Sequence, residues 1–171
     1  RKRLPGTVGV VFQNPDDQLF SASILEDVCF GPLNLGLPRE SALTAAAESL
    51  AKVGLAGYEN RVPHKLSGGE KRRAALAGVL AMRSEVLLLD EPSMYLDPRG
   101  RRDLIRIVNG LPGTLLIATH DLEFVLDTCP RAIVLDAGRI VADGPSTTLL
   151  ADADLMDRHA LELPPRFRRP E

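Results

Sequence analysis

Cysteine is scarce: Cys29 and Cys129 are the only two in 171 residues. A disulfide scaffold is excluded, and so is a zinc site built on paired cysteines, so a reducing compartment fits best. No long apolar run exists either. The longest, residues 74–82, falls far short of the roughly 20 residues that span a bilayer. No excess of one charge is present. The formal net charge is −2, which argues against a nucleic-acid binder working through bulk positive charge. No secretory leader is expected, because Pro5-Gly6 follows the basic start where an apolar run would be needed. No internal repeat is found. What remains is ordinary globular composition, with 44% hydrophobic and 26% charged residues, and a length that favours one domain.

Residues 7–12 (TVGVVF) form a short β-branched run between Pro5-Gly6 and Asn14-Pro15, and predict a buried strand. Ser23, with Glu26 three residues on, predicts a capped helix that Gly31-Pro32 ends. Pro38 opens the next helix, which carries Leu43, Ala46, Ala47 and Leu50 at helical spacing and stops at Gly54. Residues 58–66 read as a polar connector. Ser67 caps a third helix that runs through Met82. Residues 86–90 (VLLLD) and 114–119 (TLLIAT) are continuous apolar runs too short for helices, and predict buried parallel strands. Helices are expected over 98–109 and 121–127, with short strands at 132–135 and 139–142. The strand–helix alternation from Val86 to Leu135 implies a parallel sheet flanked by helices. The chain begins with Arg1 rather than Met and enters a strand almost at once, so it is expected to lack the N-terminal part of a larger domain. The charged, proline-containing stretch from Asp152, with Arg166, Arg168 and Arg169, reads as a loose tail.

Asp90-Glu91 stands where a buried strand ends, and open α/β sheets bind ligands outside the carboxyl ends of their strands. Asp90 there can hold Mg²⁺ and Glu91 can orient or deprotonate a water; taken alone, the pair equally fits a solvated loop start. Ser67-Gly68-Gly69 opens a helix with backbone N–H groups free of side-chain crowding, which suits an anion, but an ordinary helix entrance reads the same way. His120 follows an apolar strand and can contact a phosphate or serve as a turn histidine. Gln13 follows the first strand, where its amide can reach a metal or a water.

Order and spacing bind these features together. Gln13, then Leu66-Ser67-Gly68-Gly69-Glu70, then Leu88-Leu89-Asp90-Glu91-Pro92, then Leu96-Asp97, then His120 resembles the motif series of ABC-type ATPases. These match, in turn, the Q-loop, the signature motif, Walker B with its catalytic glutamate, the D-loop and the switch histidine. The stretch from Phe12 to Phe20, with Glu26-Asp27-Val28 and the run from Phe30 to Leu37, is similar to the energy-coupling-factor (ECF) branch, which includes cobalt and nickel uptake ATPases. The resemblance implies an α/β fold, a P-loop NTPase (RecA-like) parallel sheet with a helical ABC subdomain, N-terminally truncated. Residues 1–151 would be the partial ATPase domain, with the helical subdomain at 16–82 and the RecA-like part at 83–151, and 152–171 the tail.

The resemblance also implies ligands, partners and roles. ATP and Mg²⁺ are the expected ligands. Asp90 would coordinate Mg²⁺ through water, with Gln13 sensing it and the γ-phosphate. Glu91 would polarise the attacking water, aligned by His120. Ser67, Gly68 and Gly69, with Asp97 in the D-loop, would serve the nucleotide across a head-to-tail dimer. Expected partners are a second ATPase subunit, a transmembrane coupling subunit and a substrate-binding membrane protein, with no nucleic acid, at the cytoplasmic face of the cell membrane as a peripheral protein. Leu19, Phe20, Ile24 and Phe30 would be either docking face or core. Two departures stand out. No Gly-x-x-x-x-Gly-Lys-[Ser/Thr] occurs anywhere, so nothing in the chain cradles the phosphates, and the chain by itself is expected to be inactive. Met94 and Tyr95 occupy positions where small residues are usual. The alternatives are a soluble ABC ATPase without a transport role, and a non-catalytic truncated interaction module.

Overall fold

The computed structural model describes residues 6–168; Arg1, Pro5 and Arg169 lie outside the described residues. It forms two compact units that divide after Ala118.

The first unit contains a parallel sheet in the order β1 (Val8–Val11), β2 (Val86–Asp90), β3 (Thr114–Ala118). Register places Gly9, Leu87 and Leu115 in one row and Val10, Leu88 and Leu116 in the next. Successive side chains on a strand point to opposite faces, so these rows belong to different faces. On one face Val11, Leu87 and Leu89 are buried under helix α3 (Gly68–Ala81). Gly9 makes that approach feasible, since a Cβ there would stand 2.3 Å from Val79 Cγ1. The opposite face is bare: Val10 is 39% and Leu116 58% exposed. The expectation of fully buried strands therefore holds for the covered face only. β3 is an edge strand with exposed residues alternating along it, although its sequence is that of a strand covered on both faces.

Helices α1 (Ile24–Asn34) and α2 (Arg39–Lys52) pack with α3. Ser23 caps α1 as expected, accepting from the Glu26 N–H at 3.3 Å. Gly31-Pro32 does not end this helix, which runs on to Asn34 with Pro32 buried inside it. Proline forfeits one backbone bond, but its packing on the buried face with Val28 and Cys29 keeps the turn in place. In α2 the buried stripe is Ala42, Ala45, Ala46, Ser49 and Leu50, while Leu43 and Ala47 face outward. Small residues let α2 approach its neighbours closely, and this outweighs the greater hydrophobicity of Leu43. Leu19 and Ile24 are core, whereas Phe20 and Phe30 are 65% and 50% exposed. Helix α4 (Pro98–Asn109) joins β2 to β3.

The second unit starts with α5 (Leu122–Thr128), followed by the antiparallel hairpin β4 (Arg131–Asp136) and β5 (Arg139–Pro145). Ala137 and Gly138 both have positive φ, 48° and 74°, and a two-residue turn of that hand enforces antiparallel pairing. The expected parallel sheet thus ends at β3. Two short helices follow, α6 (Ser146–Leu149) and α7 (Ala153–Arg158). The stretch after Asp152, read from composition as loose, is built into this unit. Leu155 and Met156 join Val134 and Leu150 in its core, and Leu161, Leu163 and Phe167 pack against it. Among the described residues no helix is long and apolar enough to cross a membrane.

Candidate functional site

The carboxyl ends of β1 and β2 set the site in the first unit. Beyond β1, Asn14 caps the single turn Pro15–Asp17, and Lys71 on α3 pairs with Asp16 at 2.6 Å. Gln18 donates to the Ala75 carbonyl at 3.2 Å, fastening the same loop to α3. Gln13, at the root of this loop, is exposed and donates its amide to Met94 Sδ at 3.1 Å.

Asp90 ends β2 with its side chain exposed. Glu91 leaves the strand in the left-handed region, φ 43°, its N–H donating to the Ala118 carbonyl at 2.8 Å. A non-glycine residue held there carries local strain, which persists only where surrounding bonds impose it. Tyr95 is also left-handed, φ 61°, and 89% exposed. Asp97 caps α4, accepting from the Gly100 N–H at 2.6 Å.

One residue that sequence reasoning missed holds this turn. Arg72, on α3, is 4% exposed and donates to the Glu91 carbonyl at 3.2 Å and the Met94 carbonyl at 3.3 Å. Burial lowers the guanidinium pKa, while the charges of Glu91 and Asp90 act in the opposite direction. A signal was available: Arg72 shares helical spacing with Ala75, Leu76 and Val79, all buried, and a cation on a buried stripe needs an acceptor.

The start of α3 is built as expected. Ser67 Oγ accepts from the Glu70 N–H at 3.3 Å and the Ser67 N–H donates to Glu70 Oε2 at 2.8 Å, a full capping box. Tyr58 donates its hydroxyl to Glu70 Oε1 at 2.8 Å. A Cβ on Gly68 would meet nothing, and one on Gly69 would come 3.7 Å from Leu96 Cδ2. The first amides of this helix are thus open to an anion, with Leu96 beside them. The bonds from Ser67, backbone first, hold the Glu70 carboxyl below its usual range. A depressed carboxylate contributes stability above its unfolded pKa and loses it as pH falls through the folded value. Glu70→Gln is therefore expected to lower stability at pH 7 while changing little well below about pH 4, so that the acid limb of its pH–stability profile is flatter than that of wild type. An acid limb as steep as wild type would refute this.

His120 belongs to the second unit and is exposed. It lies between two anchors: the Asp121 N–H donates to Thr119 Oγ1 at 3.1 Å, and the Asp121 carboxylate caps α5 through the Phe124 N–H at 2.9 Å. Within the first unit the structure joins Gln13, Arg72, Glu91 and Met94 by hydrogen bonds, with the Ser67 cap on the helix that carries Arg72. Among the described residues no group of three or more His, Cys, Asp or Glu forms a ready-made metal cage. Asp90, an exposed carboxylate at a strand end, instead fits Mg²⁺, which takes one or two carboxylates and completes its shell with phosphate oxygens and water.

A family model described as ABC transporter matches residues 1–94. The chain is 55% identical over 159 residues to gll0289 of Gloeobacter violaceus, described as an ABC transporter ATP-binding protein, covering 92% of this chain and 65% of that protein. It is 51% identical over 160 residues to the energy-coupling factor transporter ATP-binding protein EcfA of Methanothermobacter thermautotrophicus, covering 92% and 51%. Among solved structures it matches cbiO1 from Clostridium perfringens, part of the ABC transporter complex cbiONQ, at a TM-score of 0.80 and 36% identity, covering 95% of this chain and 66% of that one. It also matches the ATP-binding cassette MJ0796 bound to ADP and Pi, at a TM-score of 0.72 and 25% identity, covering 82% and 63%. The chain spans about half to two thirds of the length of these curated relatives.

Proposed function

The chain belongs to the ABC transporter family, and on that premise we propose that it is the ATP-binding and hydrolysing subunit of an ECF-type importer for cobalt, nickel or a vitamin. The observation that carries this reading is the linkage of Gln13, Glu91 and Arg72 at the carboxyl ends of β1 and β2, with the open Ser67 helix start on the same α3. Relatives named as ECF transporter ATP-binding proteins, and the likeness to a cbiONQ component, support the transport branch.

Phosphoryl transfer asks for positioning and charge stabilisation more than covalent chemistry. Mg²⁺, when bound, neutralises charge on the phosphate oxygens. Asp90 would hold it, and Gln13 would sense it at the root of the loop fastened on α3. Glu91 accepts a proton from the attacking water, and His120 orients that water against the γ-phosphate. Ser67, Gly68 and Gly69 offer the amides of α3 to the nucleotide held by a second ATPase subunit, beside the D-loop of Leu96 and Asp97. The P-loop comes from a segment outside these 171 residues. The row of Val10, Leu88 and Leu116, exposed at Val10 and Leu116 where a further helix would cover it, and the greater length of the relatives support this. ATP turnover is therefore expected from a protein that carries this segment, and none from the 171-residue chain alone. Turnover by the isolated chain, measured as phosphate release, would overturn the reading.

The subunit would dock under a transmembrane coupling protein that works with a substrate-binding membrane protein, at the cytoplasmic face. Phe20 and Phe30 support this placement: their rings meet edge-on at 4.9 Å, both exposed, with Leu33 44% exposed beside them on α1. Phe20→Asp is expected to weaken co-purification with the coupling subunit by about tenfold or more without lowering the melting temperature. Unchanged capture would move the docking face elsewhere. Co-purification with nucleic acid instead would favour a soluble ATPase.

A further inference from the structure

Arg166 reaches back from the C-terminal segment to α5. Its Nε and Nη2 hold Glu123 Oε2 at 2.7 and 2.5 Å, its backbone N–H donates to Glu123 Oε1 at 3.2 Å, and Nη2 holds Asp127 Oδ1 at 2.7 Å. Phe167, the next residue, packs against the core of the same unit.

Helix α5 needs such a clamp. It has 7 residues, too few to persist on its own propensity. Glu123 and Asp127 stand four apart, where like charges repel, and Asp127 lies in the last turn, where the helix dipole disfavours an anion. A single guanidinium between the two carboxylates reverses both effects. The N-terminus of α5 is the Asp121 cap, whose N–H is tied to Thr119 Oγ1, and His120 is the residue between these two. His120 is thus joined directly to the residue that caps α5.

We infer that Arg166 is a positioning residue for His120: by tying Glu123 to Asp127 it sets the helix that orients the switch histidine, so the C-terminal segment governs the hydrolytic step. The inference rests on the ATPase reading above. Displacement of the segment by a neighbouring subunit would release α5 and slow hydrolysis without touching the nucleotide.

The test uses Arg166→Gln and Arg166→Lys in the protein that carries the P-loop segment. Charge-assisted bonds to a partly exposed arginine support an expected fall in kcat of about tenfold for Arg166→Gln, with KM for ATP within about twofold. Arg166→Lys, a point charge able to hold one carboxylate at a time, is expected to recover part of the rate. Amide exchange over residues 122–128 should quicken in Arg166→Gln, while β4 and β5 exchange as in wild type. Unchanged kcat overturns the inference. So does a joint loss of kcat and KM with faster exchange through β4 and β5, since that reports general loosening of the unit. An inactive wild-type protein would instead overturn the ATPase reading, and is told apart because the parent fails along with its variants.

Discussion

Glu91→Gln is expected to stop ATP turnover in the P-loop-bearing protein while leaving ATP-driven pairing of the subunits intact. Glutamine has the same length and shape, and it keeps the backbone bonds that residue 91 makes, from its N–H to the Ala118 carbonyl and from Arg72 to its own carbonyl. The left-handed conformation is therefore kept. What is lost is a group able to take a proton from water. General-base catalysis contributes roughly 10²–10⁴-fold, so the rate should fall by at least about a hundredfold, or about 3 kcal/mol of barrier. The face proposed to receive a second subunit, the start of α3 with Leu96 beside it, is unaltered. Phosphate release and ATP-dependent size exclusion measure the two halves separately. Hydrolysis near the wild-type rate would remove Glu91 from the mechanism, and loss of pairing would make its role structural.

Arg72→Met is expected to cost about 2–4 kcal/mol of folding stability, read from urea unfolding. Replacing a buried ion by an apolar residue can be neutral when its partners leave with it. Here they stay: the Met94 carbonyl would lose the arginine that donates to it, and the Glu91 carbonyl would keep only the Met94 N–H at 3.2 Å. Both belong to the turn that carries the strain at Glu91 and Tyr95, so the loss should also reduce turnover by freeing that turn. Arg72→Lys should recover only part, because one ammonium does not bridge two carbonyls as a planar fork does. A melting curve superimposable on wild type would show that the turn is held by other contacts.

Much of this was legible in advance. Elements whose identity rests on local chemistry came out with their predicted type: the helix capped by Ser67, the VLLLD strand, the helix from Pro98 to Asn109 and the two short strands over 132–135 and 139–142. The misses share a different cause. Leu43 faces out and Ala42 in because close helix packing selects size over hydrophobicity. Pro32 stays within α1, where it lies on the buried face with Val28 and Cys29. Composition made the C-terminal segment look loose, but Phe167 and Arg166 find their partners in α5 and the core beyond it.

The sequence by itself determined the chemistry: which side chains are carboxylate, amide, imidazole or small, and in what order they meet the ends of strands and helices. Those properties depend on residue type and short spacing, which a linear chain displays in full. Only the tertiary structure decided which of them act together. Arg72 became the tie between α3 and the Glu91 turn, Gln13 met Met94, and Arg166 closed on α5, because each pairing joins residues far apart in the chain. Burial sets the strength of the first by excluding water from the bond.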